Sequence, residues 1–168
     1  IINTTYEEKL LGTAGTMMKN KDLFLGCTTM LIHADNYTNL NLNELIEAHH
    51  RRPNNCLLTL LTFNTANPRP CGIVEINGEG IVQQFHEKVS QPPGQRANGA
   101  VYLFGEDLIR HMDRLEYEYS DFSTEILPAL ISRIYTYHTE EPYIDIGTPD
   151  SLKEAQRLWQ YTNSKENK

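Results

Sequence analysis

Two aspartates in this sequence follow or interrupt short apolar runs. Asp35 comes soon after the run Thr28–His33, and Asp145 lies in Tyr143-Ile144-Asp145-Ile146-Gly147-Thr148. In open α/β sheets, ligands gather beyond the carboxyl ends of strands, and Mg²⁺ prefers one or two carboxylates together with phosphate oxygens. The pair therefore indicates a magnesium site for a phosphorylated ligand. For either aspartate alone, the alternative is a structural turn or helix cap.

Glu87 and Lys88 place opposite charges side by side at the end of a predicted strand. Taken alone, such a pair is typical of an ordinary solvated strand end. Successive strand residues point to opposite faces, so both side chains can serve one ligand only if the strand ends or twists there. We therefore expect the pair at a strand end that borders a cleft.

The segment Leu11–Thr16 consists mostly of small residues and predicts a loop that a ligand could approach closely. It matches neither the dinucleotide-binding nor the Walker A pattern, and its alternative is a simple turn.

Composition and the remaining motifs exclude several functional classes. The net charge of −7 lacks the basic face of a nucleic-acid-binding protein, and no apolar run approaches the roughly 20 residues that span a bilayer. Cys27, Cys56 and Cys71 form no CxxC pair, which argues against a structural zinc site. Free thiols favour a reducing compartment, so a cytoplasmic location is expected.

Strands alternate with helices along the chain, which predicts a mostly parallel sheet covered by helices. The segments around Asn77-Gly78 read as an inserted antiparallel hairpin. Two helix starts are marked by capping residues, Asn41 before Leu42 and Thr148 before Pro149. The predicted strands are 28–33, 56–63, 72–76, 81–87, 99–104 and 133–138, and the predicted helices are 42–52, 106–112, 123–132 and one from 149.

Six short motifs then occur in an order that resembles the sugar-1-phosphate nucleotidyltransferase family, also called NDP-sugar pyrophosphorylases. They are Leu11-Gly12-Thr13-Ala14-Gly15, His33-Ala34-Asp35-Asn36, Cys71-Gly72-Ile73-Val74-Glu75, Phe85-His86-Glu87-Lys88, Ala97-Asn98-Gly99-Ala100-Val101-Tyr102 and Asp145-Ile146-Gly147-Thr148-Pro149. Each is weak alone, and their order along nearly all of the chain makes them specific. Among the branches of this family, the chain resembles the bacterial mannose-1-phosphate and manno-heptose-1-phosphate guanylyltransferases. The resemblance implies a Rossmann-like α/β fold of the nucleotidyltransferase A type.

On the nucleotide and metal side, the resemblance implies a role for five residues. Gly12, Thr13 and Ala14 match the loop that lies against the base, while Asp35 and Asp145 match the aspartates that ligate Mg²⁺. One departure is His33-Ala34 before the first aspartate, where many relatives have a glycine or another small residue.

On the sugar side, the resemblance implies four further contacts. Gly72 matches a glycine whose backbone contacts the sugar, Glu87 and Asn98 match groups that bind sugar hydroxyls, and Lys88 matches the lysine near the sugar phosphate. Asp35, Lys88 and Asp145 are then the catalytic residues.

The implied reaction is an in-line attack by the sugar-1-phosphate oxygen on the α-phosphorus of a nucleoside triphosphate, with GTP favoured. It releases pyrophosphate and forms a nucleotide sugar. In such chemistry the protein aligns two anions and neutralises developing charge. The expected partners are these two substrates and Mg²⁺, without nucleic acid or membrane, and a homo-oligomer is left open.

The family begins with a strand followed by a glycine-rich loop that carries a basic residue, and a lysine lies a little further along. The loop and the lysine grip the triphosphate, and the sequence starts after the positions of both. We therefore expect residues 1–162 to be a partial, N-terminally truncated nucleotidyltransferase domain that is inactive without that segment. Residues 163–168 are expected to form a flexible tail, and a gap or a replacement segment is expected beside the strand 28–33.

Two alternative functions are open from the sequence. One is a non-catalytic sugar-phosphate-binding or regulatory relative that has lost its triphosphate loop. The other is an unrelated α/β domain, in which Asp35, Glu87, Lys88 and Asp145 would not converge on one cleft.

Overall fold

The computed structural model describes residues 2–115 and 121–166. Its strands are β1 (Thr29–Ile32), β2 (Asn36–Thr38), β3 (Leu58–Asn64), β4 (Gly72–Ile76), β5 (Val82–Glu87), β6 (Arg96–Phe104), β7 (Ile134–Thr139) and β8 (Tyr143–Asp145). Its helices are α1 (Gly12–Lys19), α2 (Leu42–His50), α3 (Glu106–Asp113), α4 (Leu127–Ala129) and α5 (Pro149–Glu166), with a 3₁₀ turn at Lys21–Phe24 and a π-helical turn at Phe122–Ile126.

Six strands form one mixed sheet in the order β5-β4-β6-β3-β7, with β1 also pairing with β6. β6 runs antiparallel to β1, β3 and β4, and β3 runs parallel to β7. β1, β3, β4 and β7 therefore share one direction, while the pairing of β4 with β5 supplies the predicted hairpin. The α/β prediction is confirmed, although adjacent ladders are mostly antiparallel because β6 runs between strands of the opposite direction.

The two central strands are buried on both faces, as their nearly continuous apolar sequences predict. Leu58 and Leu60 of β3 and Tyr102 of β6 pack in a cluster that includes residues of α1, α3 and α4. Leu61 and Val101 pack on the opposite face with Leu45 of α2. Helices therefore cover both faces of the sheet, and this burial holds β3 and β6 in place beneath the site described below.

Both predicted helix caps are confirmed. Asn43 donates its backbone N–H to Asn41 Oδ1 at 3.1 Å, and Ser151 donates its backbone N–H to Thr148 Oγ1 at 3.1 Å. The capping side chains satisfy donors that the first helical turn leaves without a partner. These caps fix where α2 and α5 begin.

Three local predictions need correction. The predicted loop at Leu11–Thr16 is wrong, because Gly12–Lys19 is helical and its small residues let Ala14 and Gly15 pack into the core. The predicted helix 123–132 is a π-helical turn followed by the short α4. α5 extends to Glu166 into the predicted tail, while residues 167 and 168 lie outside the described part and flexibility stays a prediction.

The strand β1 has one strand partner, β6, within residues 2–115 and 121–166. Beside it lies an apolar cavity of about 170 Å³ bordered by Met17, Phe24 and Leu31. β1 is therefore an edge strand within the described residues, while the expected gap of a missing strand and the position of the chain within a longer protein stay predictions. Across the same described residues, the helices include none with the length and apolar character that crossing a membrane requires.

A buried histidine makes the stability of this fold dependent on pH. His49 is 2% exposed and shares a 2.9 Å hydrogen bond with Thr59. Burial, followed by the charges of Arg52 and His50, lowers its pKa from 6.5 to about 4. Between these two pH values the unfolded chain binds more protons than the folded one, so the free energy of unfolding falls as the pH falls.

We expect the folded protein to lose about 2–3 kcal/mol of stability from this group between about pH 6.5 and 4. The measurement is urea unfolding across that range. His49→Gln keeps a group that can bond Thr59 but does not titrate there, so its stability should change less with pH. The exposed His33 provides a control, because its charge is not among those that shift the pKa of His49, and His33→Gln should retain the wild-type slope. Parallel curves for wild type and His49→Gln would contradict the assignment.

Candidate active site

A polar cavity of about 200 Å³ lies where the hairpin, β6 and the small two-stranded sheet meet. Six of the nine residues proposed from the sequence border it, and they are Asp35, Gly72, Glu87, Lys88, Asn98 and Asp145. The four charged members come from three distant parts of the sequence, at positions 35, 87–88 and 145, so only the fold brings these parts together. In an unrelated α/β domain, these charged residues were not expected to converge on one cleft.

The two aspartates are brought together by β2 and β8, which form a separate antiparallel pair. Asn36 lies opposite Asp145 in the ladder, and Ile146 donates its N–H to the carbonyl oxygen of Asp35 at 2.7 Å. Asp35 occupies the turn before β2, so the alternation of side chains along a strand does not fix its direction. The predicted placement of Asp35 and Asp145 on one cleft is confirmed, while metal binding stays a prediction.

The two carboxylates differ in their local contacts. Asp145 Oδ1 accepts the backbone N–H of Gly147 at 2.8 Å, as the alternative of a structural turn requires. Its second carboxylate oxygen has no such bond within the described residues, nor has either carboxylate oxygen of Asp35. Asp145 can therefore close the turn and still offer an oxygen to a cation.

Glu87 and Lys88 lie at the end of β5, as predicted. β5 ends at Glu87, and Lys88 adopts a left-handed backbone conformation with φ of 49°. This conformation is uncommon for a residue with a side chain. It breaks the strand alternation and allows both side chains to border the cavity. Their charged atoms lie 3.7 Å apart at Lys88 Nζ and Glu87 Oε1.

Gly72 lies opposite Glu87 in the hairpin and leaves space for its carboxylate. A Cβ atom at Gly72 would lie 2.7 Å from Glu87 Oε2 and 2.7 Å from Phe85 Cζ. Both distances are shorter than van der Waals contact. The glycine is therefore needed for the observed position of the Glu87 side chain.

Asn98 is held by two hydrogen bonds that fix its amide plane. Its Nδ2 donates to Tyr102 Oη at 2.9 Å, and its Oδ1 accepts the backbone N–H of Ala100 at 2.8 Å. Ala100 has φ of 50°, so the backbone is strained at a second position on the cavity wall. One Nδ2–H of Asn98 stays available to a ligand in the cavity.

Nine of the fifteen residues that border the cavity were not proposed from the sequence, and Asn36, Ser123 and Tyr143 are among them. Asn36 directly follows Asp35, and Tyr143 precedes Asp145 by two positions on one strand, which were the available signals. Burial raises the pKa of Tyr143, and the charges of Tyr102, Asp35 and Asp145 add to this shift. Its hydroxyl therefore stays protonated and acts as a hydrogen-bond donor.

The cavity carries more negative than positive charge. Asp35, Glu87 and Asp145 contribute three carboxylates, against the single ammonium group of Lys88 among the bordering residues. With neutral histidine, their formal sum is −2. Such a cavity would repel a phosphate group unless a cation accompanied it.

The donor set fits one kind of cation. Within the described residues, no group of three or more histidine, cysteine or acidic side chains is arranged to hold a metal. Two carboxylates on one cavity match the preference of Mg²⁺, which keeps several waters and takes further oxygens from substrate phosphates. Asp35 and Asp145 are the residues that could hold it.

Gly12, Thr13 and Ala14 do not border this cavity. Ala14 is fully buried, and Thr13 Oγ1 accepts the backbone N–H of Phe122 at 2.9 Å. The small residues allow α1 to pack closely on the π-helical turn. The structure therefore gives no support to the predicted base contact of these three residues.

Comparison with known proteins identifies the family of the chain and proteins that are similar to it. The model of the nucleotidyl transferase family matches residues 1–161. The chain is 27% identical to "Probable mannose-1-phosphate guanylyltransferase 3" of Arabidopsis thaliana, over 97% of this chain and 49% of that protein. It is 23% identical to "Glucose-1-phosphate adenylyltransferase" of Mycoplasma mobile, over 86% of this chain and 40% of that protein.

The fold agrees with that of a solved structure, HddC from Yersinia pseudotuberculosis complexed with GMP-PN. The TM-score is 0.73 at 20% identity, covering 91% of this chain and 64% of that one. The chain thus spans less than half the length of the two curated relatives above. Because the family model covers nearly all of it, the chain belongs to the nucleotidyl transferase family.

Proposed function

We propose that the cavity binds a sugar 1-phosphate together with Mg²⁺, as the acceptor half of a nucleotidyl transfer. In the intact protein, the nucleotidyl group would come from a nucleoside triphosphate, with GTP favoured. The observation that carries this proposal is the convergence of Asp35, Glu87, Lys88, Asn98 and Asp145 on one cavity. Similar proteins are named as guanylyltransferases and as adenylyltransferases, so the choice of GTP is the most specific part of the proposal.

The cavity groups divide by the part of the ligand they suit. Glu87 accepts hydrogen bonds from sugar hydroxyls, and the free Nδ2–H of Asn98 donates to a sugar oxygen. Lys88 pairs with the phosphate, which is the attacking group. These contacts hold the phosphate oxygen in line with the α-phosphorus, and such alignment supplies much of the rate enhancement in phosphoryl chemistry.

In the reaction, a bond forms between a sugar-phosphate oxygen and the α-phosphorus. The bond from that phosphorus to the oxygen bridging the β-phosphate breaks, and pyrophosphate leaves. Mg²⁺ held by Asp35 and Asp145 would supply charge neutralisation between the two phosphates. Lys88 offsets the remaining negative charge on the sugar phosphate.

The test is pyrophosphate release by the intact protein, measured over a panel of nucleoside triphosphates and sugar 1-phosphates with Mg²⁺. We expect turnover with at least one pair, with GTP and mannose 1-phosphate included. Binding of a sugar 1-phosphate without turnover for any pair would instead favour the non-catalytic relative. Failure to bind any sugar 1-phosphate would contradict the proposal.

Filling the space at Gly72 should affect the sugar side of the cavity. We expect Gly72→Ala to weaken binding of the sugar 1-phosphate about tenfold, because the new methyl group displaces Glu87 or Phe85. Overpacking of this kind also costs about 1–3 kcal/mol of stability. Calorimetric titration and thermal unfolding measure the two effects.

A matched glycine is available on the same hairpin. A Cβ atom at Gly78 would have no neighbour within 4 Å, so Gly78→Ala should retain wild-type affinity. Equal affinities for the Gly72→Ala and Gly78→Ala proteins would show that the position of Glu87 does not matter for binding.

A further inference from the structure

The two aspartates lie on an element that is separate from the main sheet. β2 and β8 pair with each other, and within the described residues neither forms a ladder with the six-stranded sheet. Asn98 and Glu87, in contrast, belong to that larger sheet. The separation between the cation side and the sugar side of the cavity must therefore be set by contacts other than strand pairing.

Tyr143 makes two contacts that bridge this separation. Its ring stacks on Phe63 of β3, with centroids 4.5 Å apart and planes inclined by 23°. Its hydroxyl donates a hydrogen bond to the carbonyl oxygen of Gly99 in β6. Gly99 directly follows Asn98, so one side chain links β8 to the strand that carries a sugar contact.

The carbonyl oxygen of Gly99 is available as an acceptor because the ladder between β3 and β6 is irregular near this residue. Its register passes from the pair Leu60–Tyr102 to the pair Thr62–Asn98, which leaves Gly99 without a partner in β3. Such irregularities re-aim groups next to functional sites. Here the irregularity leaves a carbonyl that the phenol hydroxyl satisfies.

The direction of Tyr143 also relates it to the metal candidate. Residues two apart on a strand point to the same side, so Tyr143 and Asp145 project from the same side of β8. Both border the cavity. A displacement of the Tyr143 ring would therefore move Asp145 relative to Asn98.

We propose that Tyr143 is a positioning residue, which fixes the Asp35–Asp145 pair at the distance from Asn98 that a cation and a sugar phosphate require together. This inference rests on the proposed function and assigns no contact between Tyr143 and a reacting atom. The positioning role requires both the hydroxyl group and the ring of Tyr143.

The test compares Tyr143→Phe with wild type. Mn²⁺ suits the same oxygen ligands as Mg²⁺, and its binding to the intact protein is measured by water-proton relaxation without any turnover. One lost hydrogen bond corresponds to roughly a three- to tenfold rise in the dissociation constant for Mn²⁺. Phe63→Leu keeps the hydroxyl group of Tyr143 but removes the ring on which Tyr143 stacks. This variant should shift the dissociation constant for Mn²⁺ in the same direction.

Tyr37→Phe is the matched control on the same two-stranded sheet. Its hydroxyl donates to Asn39 Oδ1 at 3.0 Å and does not border the cavity, so its affinity for Mn²⁺ should equal that of wild type. Thermal unfolding of every variant separates positioning from general destabilisation.

A Tyr143→Phe protein with a lowered melting temperature and unchanged affinity for Mn²⁺ would reduce the role to structure and overturn the inference. Absence of Mn²⁺ binding by wild type would overturn it as well. Calorimetric binding of mannose 1-phosphate to wild type is measured in parallel. It tests the sugar-phosphate side of the proposed function separately, because loss of the positioning role of Tyr143 would leave binding of mannose 1-phosphate to wild type unaffected.

Discussion

Replacing Asp145 with asparagine is expected to lower turnover of the intact protein by about a thousandfold. Asparagine keeps an oxygen that can accept the Gly147 N–H, so the turn should persist. It loses the negative charge that binds Mg²⁺. Metal ions contribute several kcal/mol to such reactions, and about 4 kcal/mol corresponds to the expected factor.

The measurement is pyrophosphate release as a function of Mg²⁺ concentration, with thermal unfolding as a check on folding. Asp150→Asn is the control, because Asp150 is exposed on the first turn of α5 and pairs with Lys153 at 3.3 Å. That variant should retain full turnover. If the turnover of Asp145→Asn remained within about threefold of wild type, the metal role of Asp145 would be excluded, because loss of a metal ligand should lower turnover far more.

Replacing Lys88 with alanine is expected to weaken sugar 1-phosphate binding about 10- to 100-fold, as for the loss of a hydrogen bond to a charged group. Lys88 is exposed and lies 3.7 Å from the half-buried Glu87, so this ion pair contributes little to stability. The main effect of the substitution is therefore on ligand binding. The formal charge of the groups that border the cavity changes from −2 to −3. Binding of the nucleoside triphosphate should change far less.

Calorimetric titration with each substrate measures the two effects separately. Lys153→Ala is the matched control, since Lys153 is also exposed and paired with a nearby carboxylate. Equal losses of affinity for both substrates in Lys88→Ala would count against the assigned role. Such a result would indicate a general change in charge rather than a contact with the sugar phosphate.

Sequence predicted the parts of the fold that local patterns determine. The apolar runs of β3 and β6, the Asn-Gly hairpin and the caps at Asn41 and Thr148 each carry their own signal. The helix at Gly12–Lys19 was missed because its glycines favour a loop, whereas packing of Ala14 and Met17 into the core favours a helix.

Sequence patterns also predicted one part of the site and missed another. Motif order indicated that Asp35, Glu87, Lys88 and Asp145 belong together, and the structure brings them to one cavity. β2 and β8 were missed because strands of three residues show no recognisable alternation. Without that pair, the contacts of Tyr143 with Phe63 and Gly99 could not be inferred.

Anomalous diffraction from crystals of the protein with Mn²⁺ and mannose 1-phosphate tests the central claim most directly. The account predicts one manganese peak between the carboxylates of Asp35 and Asp145. It also predicts the ligand phosphate beside Lys88 and the sugar hydroxyls at Glu87 and Asn98. A manganese peak elsewhere, or a sugar phosphate bound outside this cavity, would contradict it.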